Sequence, residues 1–188
     1  MKRLLLLIVS SLALSACAGH APTHIALSPQ VPEVKQQAQG LHPLAIETLD
    51  TRSANYIVRF KNGDKAARLV SPSEPPRIQL DQVFRAGFAQ AGYQIDPAAA
   101  TSLQIRLEQL LTDVEEGHFS FEANSQITID VVAKNSSQEL SKRYRAKGHL
   151  TGPFGADYAS LELDMNKLLE QLVRDILNDP ELNQFLQH

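Results

Sequence analysis

The sequence predicts an α+β fold, a two-layer sandwich in which two amphipathic helices cover one face of a largely antiparallel sheet. Three observations lead to this prediction. Between Phe119 and Ala133, apolar side chains alternate with polar ones, which is the pattern of a strand with one buried face. Residues 80–91 and 161–177 instead repeat apolar side chains at helical spacing. Since each strand has a single apolar face, helices on one side of the sheet are sufficient cover.

The first half of the domain is predicted to hold three strands and a helix. Residues 44–49 form the first strand, and Asn62-Gly63 connects the next two as a hairpin, because this dipeptide suits the positive φ angles of a type I′ turn. A proline-rich loop over residues 71–76 follows, since proline lacks the N–H that a central strand needs. The helix over residues 80–91 then ends at Gly92.

Three consecutive strands, the first beginning near Leu103, are predicted to form a meander. Their apolar positions must share one face, and this requirement sets the register of the last two strands. It pairs Lys134 with Glu139 and sets Asp130 beside Arg143. A slip by one residue would turn the apolar side chains toward water.

The C-terminal region predicts two more helices. The long one begins near Ser160, which is a good N-cap residue, and ends at Asn178. Asp179 then caps a short helix that starts at Pro180, because proline is favoured at the first helical position. The two helices that cover the sheet are therefore those over residues 80–91 and 161–177.

Residues 1–16 have the features of a cleaved secretory signal, with Lys2 and Arg3 before an apolar run that is too short to span a bilayer. The run leads into Leu-Ser-Ala-Cys over residues 14–17, which resembles the bacterial lipobox. This resemblance implies that the sulfur of Cys17 receives a diacylglyceryl group and that cleavage occurs just before Cys17. It also implies acylation of the new amine, with palmitate as the expected chain. The alternative, a lone buried thiol, does not account for the preceding apolar run.

Residues 17–40 are predicted to be a flexible tether that begins with the lipidated cysteine. They contain three prolines and show no period of 2 or 3.6 residues. A flexible chain of this length has an end-to-end distance of roughly 26 Å. Residues 41–188 then form a single α+β domain. Ala18 stands where lipoproteins of the inner membrane carry aspartate, so the resemblance implies an anchor in the outer membrane of a Gram-negative bacterium and a domain that faces the periplasm.

Charge and motifs limit the functions that this chain can have. Loss of Lys2 and Arg3 with the signal lowers the formal net charge from −3 to about −5, which disfavours nucleic acid as a partner. The chain carries no P-loop, Gly-x-Ser-x-Gly, His-Glu-x-x-His or Gly-x-Gly-x-x-Gly sequence. We therefore expect no cofactor, no metal site and no catalytic residues, and interpret the protein as a non-enzyme.

Four charged residues are candidates for contact with a ligand or partner. Asp50 and Arg52 follow the first strand, and Arg143 and Arg145 lie on the outward face of the last strand. The alternative for Asp50 and Arg52 is turn chemistry, in which the aspartate closes its own backbone turn and pairs with the arginine. The alternative for the two arginines of the last strand is a solvated sheet face with weak salt bridges.

Several short motifs, in their order and spacing, resemble one known family. They are Leu-Ser-Ala-Cys over residues 14–17, Asp-Thr-Arg over residues 50–52, Tyr-Arg-Ala over residues 144–146, and the closing segment over residues 168–186. On these motifs the chain is similar to the YajG-type family of uncharacterised bacterial lipoproteins. The resemblance implies a lipid-anchored protein of the cell envelope and supplies no activity.

Two functions are favoured on the sequence alone, and a third, a hydrolase, would require a Ser–His pair within hydrogen-bond reach in a pocket. The first is a non-catalytic envelope accessory or interaction module that is held in the lipid membrane by Cys17 and docks to an envelope protein or to peptidoglycan. The second is a periplasmic protein that binds a small ligand, such as a lipid or a muropeptide. An apolar cleft lined by phenylalanines would favour the second function; the candidates are Phe84, Phe88, Phe119 and Phe121.

Overall fold

The computed structural model describes residues 23–35, 37–38, 40, 42–63 and 65–188. The expected signal segment over residues 1–16 and the expected lipidation site Cys17 lie outside the described residues. The described chain forms eight strands and three helices. The strands are β1 (His24–Ile25), β2 (Pro43–Asp50), β3 (Val58–Asn62), β4 (Lys65–Pro72), β5 (Gln94–Ile95), β6 (Ser102–Glu116), β7 (Ser120–Lys134) and β8 (Glu139–Pro153). The helices are α1 (Pro76–Gln90), α2 (Tyr158–Leu177) and α3 (Pro180–Leu186).

These strands form one mixed sheet. β6, β7 and β8 make the antiparallel meander that the sequence predicts. The pairs β1–β4, β2–β5, β2–β6 and β3–β6 are parallel, and the pair β3–β4 is the antiparallel hairpin. The sheet curls into a half-barrel, so the prediction of a two-layer sandwich with a largely antiparallel sheet is wrong.

Two properties of the chain account for this difference. The route from β2 to β6 passes through a hairpin and α1, and a connection of this length allows strands to pair in parallel. The three strands of the meander have 15 residues each, and strands of that length twist too strongly to stay flat. A register shift between Leu107 and Gln109 bends β6 further.

The predicted register of the meander is confirmed. Lys134 pairs with Glu139, and Asp130 lies opposite Arg143 in the β7–β8 ladder. This register places the apolar side chains of β7, except Val132, on the face that the helices cover and its charged side chains on the other face. The alternation of the sequence is therefore sufficient to fix this part of the sheet.

Each of the two C-terminal helices begins directly after an aspartate that caps it. Asp179 caps α3, whose first residue is Pro180, as the sequence predicts. The prediction that α2 begins near Ser160 needs correction, because α2 begins at Tyr158 and the carboxylate of Asp157 accepts a hydrogen bond from the Ser160 N–H at 2.9 Å. Among the residues that the structure describes, no helix combines the length and the apolar character needed to cross a bilayer.

α1 and α2 cover one face of the sheet and enclose the core. Phe84 and Phe88 of α1 are fully buried there, together with Ile129 of β7. The two helices approach closely at Gly87, where a Cβ atom would lie 2.4 Å from Cδ1 of Leu177. The missing side chain lets Leu177 pack directly on α1, which closes the core between the two helices.

Residues 23–35, here named the strap, pack along α2. Ile25, Leu27 and Pro29 are buried, whereas Ala26, Ser28 and Gln30 are exposed. The backbone amides of these exposed residues donate to α2 side chains at 2.8–3.0 Å, in the pairs Ala26–Glu162, Ser28–Asn166 and Gln30–Glu170. The expected flexible tether over residues 17–40 does not describe this segment, because between Ile25 and Pro29 every second side chain is buried with the period of an extended chain, and the segment is hydrogen-bonded to α2.

The variant Ile129→Asp tests the position of β7 against the helices. Because Ile129 is fully buried, an unpaired carboxylate there is expected to lower the free energy of unfolding by about 3–5 kcal/mol. Gln126→Asp, on the exposed face of the same strand, is the matched control and should change it by less than about 0.5 kcal/mol. Urea unfolding measures both variants, and equal values for the two would contradict the register.

Candidate functional site

A cleft of about 560 Å³ lies on the face of the sheet that α1 and α2 leave uncovered. Apart from Leu110, which belongs to the core, its lining residues on the strands alternate with side chains of the core, which places the cleft on the opposite face. We name it the arginine cleft, because four arginines contribute to its walls: Arg52, Arg59, Arg143 and Arg145. Other polar side chains lie between them, including Tyr56, Gln109 and Thr128.

The cleft exists because β2 and β3 pair with separate stretches of β6. β2 pairs with β6 as far as Leu107, where the Thr51 N–H donates to the Leu107 carbonyl at 3.0 Å. β3 begins its pairing at Thr112, whose N–H donates to the carbonyl of Ile57 at 2.8 Å. On this edge of β6, residues 108–111 therefore face the β2–β3 connection instead of a strand, while β7 pairs with the other edge, and the cleft opens beside the connection.

Asp50 fixes Arg52 beside the cleft. The Nε and Nη2 atoms of Arg52 donate to the two carboxylate oxygens of Asp50 at 2.9 and 2.8 Å, and the Arg52 backbone N–H donates to Oδ1 at 3.2 Å. Burial opposes ionisation of Asp50, but the hydrogen bonds and charge of Arg52 outweigh it, so the pKa of Asp50 lies below its ordinary value. The turn chemistry considered from the sequence is therefore present at this position.

Arg52 also carries a group that this pairing leaves unsatisfied. Only 7% of its side chain is exposed, and its Nη1 atom is buried without a hydrogen-bond partner among the described residues. A buried donor without an acceptor costs about 1–3 kcal/mol, because it has lost its hydration without compensation. The wall of the cleft therefore holds a donor that a bound acceptor or a water molecule would satisfy.

Arg59 and Arg143 stand on either side of the cleft and are fixed by aspartates of neighbouring strands. Arg59 donates to both carboxylate oxygens of Asp113, at 2.6 and 2.8 Å. Arg143 donates to both oxygens of Asp130, with 2.6 Å between Nε and Oδ1. In both pairs the hydrogen bonds from arginine lower the pKa of the aspartate more than burial raises it. Such two-pronged pairs hold the guanidinium plane in one orientation.

Arg145 differs from the other three arginines. It lies opposite Thr128 in the β7–β8 ladder and reaches the cleft beside it. Its positive charge contributes to the lowered pKa of Asp130 from a distance. Within the described part of the chain, its guanidinium group makes no hydrogen bond or salt bridge, so its N–H groups remain available.

The cleft is therefore rich in hydrogen-bond donors, and its one lining carboxylate, Glu108, is paired with Arg106 at 3.7 Å. Arg52 Nη1 and the guanidinium group of Arg145 lack acceptors, while the paired arginines keep fixed N–H groups at the walls. Three of the four positive charges have an aspartate partner, so their attraction acts at short range. This arrangement suits a ligand group with two acceptor oxygens, such as a carboxylate.

Three of the four contact residues predicted from the sequence come together in this cleft. Arg52, Arg143 and Arg145 line it, and Asp50 lies behind Arg52 next to a smaller pocket. Arg59 is missing from the prediction, because its place in the cleft depends on the parallel pairing of β3 with β6. No local pattern reports that pairing, and the only available signal is the position of Arg59 between two buried residues of its strand.

A buried hydroxyl pair that the sequence did not indicate lies on the core side of the sheet. Thr112 Oγ1 and Ser125 Oγ are 2.8 Å apart, and Ser125 Oγ donates to Oδ2 of Asp164 at 3.1 Å. His149 lies on the opposite face of the sheet, where its Nδ1 atom is 3.0 Å from Oδ1 of Asn124. The hydroxyl pair and this imidazole are therefore separated by the sheet. No cluster of three or more possible metal ligands occurs among the described residues.

The four phenylalanines considered for an apolar ligand cleft do not form one. Phe84, Phe88 and Phe121 belong to the filled core, whereas Phe119 is exposed at the turn between β6 and β7. The interior therefore offers no apolar cleft at these residues. The polar arginine cleft is the better candidate for recognition.

The fold and the cleft define a class of protein, in which a curled mixed sheet carries helices on one face and a polar, arginine-lined cleft on the other. A family model described as an uncharacterized lipoprotein matches residues 29–187. The chain belongs to this family of uncharacterized lipoproteins. The resemblance drawn from the short motifs of the sequence is thereby confirmed.

Individual relatives agree with the family. Two proteins named uncharacterized lipoprotein YajG, from Escherichia coli strain K12 and Escherichia coli O6:H1, are each 24% identical to this chain over 188 residues. The match covers 98% of this chain and 96% of each relative. A crystal structure of a protein from Xanthomonas campestris has a TM-score of 0.55 and 13% identity, over 87% of this chain and 97% of that chain. At this identity the likeness concerns the fold alone.

The variant Asp130→Asn tests the electrostatics of the cleft wall. Because the folded pKa of Asp130 is lowered, its ionised form stabilises the fold above the unfolded pKa of about 3.9, and this stabilisation is lost as the pH falls through the folded pKa. At pH 7 the variant is expected to be less stable by about 1–2 kcal/mol. Its stability should also fall less steeply than that of the wild type between about pH 5 and pH 2.

Urea unfolding over this pH range measures the effect of Asp130→Asn. Glu139→Gln, which removes an exposed partner of Lys134 at 2.9 Å, is the control and should follow the wild-type profile more closely. Identical pH profiles for Asp130→Asn and the wild type would contradict the stabilising role of the ionised Asp130.

Proposed function

We propose that this lipoprotein is a non-catalytic interaction module, anchored in the outer membrane and facing the periplasm, that binds an envelope protein through the arginine cleft. The observation that carries the proposal is the buried Nη1 atom of Arg52, which has no hydrogen-bond partner among the described residues. An acceptor group of a partner can satisfy this donor in place of water, in a cleft that the unpaired Arg145 also lines.

The chemistry of the cleft favours a carboxylate on the partner. A glutamate, an aspartate or a C-terminal carboxylate can accept one N–H group of a guanidinium on each of its two charged oxygens, which gives stronger hydrogen bonds than the single neutral oxygen of a hydroxyl or a carbonyl. The fixed orientation of Arg52 and Arg143 reduces the entropy that binding would cost. The aspartates that pair with the arginines keep the face from attracting polyanions at long range, which favours one local acidic group over nucleic acid.

The anchor at Cys17 supplies the other half of the proposed function. Several acyl chains hold a protein stably in a bilayer, since each buried CH₂ group contributes about 0.8 kcal/mol. The membership of the lipoprotein family supports this modification, and Ala18 after the cysteine favours transfer to the outer membrane. The partner is then a protein that the anchored domain can reach from this membrane.

A photo-crosslinking experiment tests the cleft. A benzophenone amino acid replaces Ser53, an exposed residue of the cleft wall, and intact envelopes are irradiated. We expect one defined protein adduct. The variant Arg145→Gln should weaken it by about tenfold or more, because a hydrogen bond to a charged group contributes about 1.5–3 kcal/mol.

The matched control for Arg145→Gln is Lys147→Gln. Lys147 is exposed on the same face of β8, two residues further along, and does not line the cleft. Its neutralisation should leave the adduct unchanged. An adduct that survives Arg145→Gln at full yield, an adduct with peptidoglycan strands, or the absence of a defined adduct would each contradict the proposal.

Mass spectrometry and membrane fractionation test the anchor. We expect the native protein to begin at Cys17 with acyl groups on its sulfur and its amine. In the variant Cys17→Ala, the folded domain should be found without stable membrane attachment, because the acyl chains are missing. A native protein that keeps residues 1–16 and carries no acyl group would contradict the anchor without affecting the test of the cleft.

A further inference from the structure

Two phenylalanines are exposed together at one end of the meander. Phe119 lies in the turn between β6 and β7 and is 81% exposed, while Phe154 follows β8 and is 71% exposed. The Phe154 N–H donates to the Phe119 carbonyl at 2.9 Å, so the two residues are neighbours. Isolated exposed apolar residues are common on proteins, but an adjacent pair of large aromatic rings in water needs an explanation.

The backbone holds this pair in place. Phe154 has a φ angle of 62°, in the left-handed region that non-glycine residues seldom adopt. Glu116 Oε1 accepts a hydrogen bond from the Ala156 N–H at 3.1 Å and so ties the segment after β8 to the end of β6. The strained residue and this tie present both rings on a fixed end of the sheet.

The strap brings the N-terminal side of the chain to this same end. The strap runs parallel to α2, because Ala26 bonds to Glu162 and Gln30 bonds to Glu170. Extrapolation along this pairing places Thr23, the first described residue, level with the start of α2. α2 begins four residues after Phe154, a separation of at most about 14 Å along the chain.

The covalent distance to the anchor is short. Cys17 lies six residues before Thr23, and an extended chain of six residues spans at most about 20 Å. A lipid at Cys17 therefore holds the start of α2, and with it Phe119 and Phe154, within a short reach of the bilayer surface. The opposite end of the meander, at the β7–β8 turn, is separated from them by the whole length of β7.

We propose that Phe119 and Phe154 form a membrane-contact tip, which inserts both rings into the bilayer that carries the anchor. This inference rests on the anchor of the proposed function, because the short reach from Cys17 selects the bilayer as the occupant of the patch. Aromatic rings are favoured at the membrane interface. The insertion fixes the orientation of the domain and turns the far end of the sheet away from the lipid.

The charges near the tip show which interaction holds it there. Glu115 is paired with Lys61 at 3.1 Å, and Glu116 caps the segment after β8, so no unpaired basic cluster accompanies the rings among the described residues. Contact with lipid is therefore driven by burial of the rings and does not require anionic headgroups. It should accordingly be insensitive to salt.

Tryptophan fluorescence tests the proposal, because the chain contains no native tryptophan. Phe119→Trp and Phe154→Trp each introduce a single reporter into the full-length acylated protein, which is reconstituted in phosphatidylcholine vesicles with brominated acyl chains. We expect blue-shifted emission and quenching by bromine for both reporters, at low and at high salt. The control Ser136→Trp, in the β7–β8 turn about 50 Å away along β7, should show neither effect.

Three results would overturn the membrane-contact tip. Quenching of both reporters no stronger than that of Ser136→Trp would show that the rings stay outside the lipid. A blue shift that grows with protein density and does not respond to bromine would show that a second copy covers the rings. Quenching that disappears at high salt would show that an electrostatic contact, and not insertion of the rings, holds this end of the sheet at the membrane.

Failure of the anchor is distinguishable from failure of the tip. If mass spectrometry shows that Cys17 is not acylated, its thiol is the only one in the chain and can be coupled to a maleimide lipid in the same vesicles. This coupling restores the same maximum distance between the bilayer and Thr23, because the lipid is again attached at Cys17. Quenching of the two reporters then supports the tip, and its absence overturns the tip, whatever the fate of the anchor.

Discussion

The structure depends on the way in which two consecutive strands share one edge of β6. β2 pairs with its first half and β3 with its second half, both in parallel. Because the connection between them must leave the edge and return to it, residues 108–111 are left without a strand partner at this edge, and the arginine cleft opens there. The same arrangement extends the sheet through β4 to β1, so the curl of the half-barrel and the position of the strap follow from it.

Local patterns of the sequence predict the parts of the fold that depend on neighbouring residues. The alternation in β7 and β8 fixes their register, and Asp179 with Pro180 predicts the start of α3. The parallel pairs join segments about 50 residues apart, and no periodicity within either segment reports its partner. The strap escapes prediction for a related reason, because its amides donate to side chains of a helix more than 130 residues away.

The residues of the candidate site also fall into two groups, those that local patterns predict and those that only the pairing of distant strands brings to the cleft. Arg52 stands out because Asp50 is two residues away, and Arg143 and Arg145 stand out because they alternate on a strand with a clear outward face. Arg59 has an outward position as well, but only the pairing of β3 with β6 brings it to the cleft. The buried state of the Arg52 guanidinium group could not be predicted, since it depends on how the β2–β3 connection packs against β6.

The strap links the first described residues of the chain to α2, which lies close to its C-terminal end. Its amides find their acceptors on α2, so in a chain synthesised from its N-terminus these hydrogen bonds must wait until almost every other residue has emerged. Contacts of such long sequence separation carry a large loop-closure cost and form late in folding. Tension applied to the N-terminus of the finished domain would act along the strap and load its bonds to α2 together, in shear. The strap is therefore expected to dock late in folding. Its hydrogen bonds to α2 would also carry a force that pulls on the N-terminus.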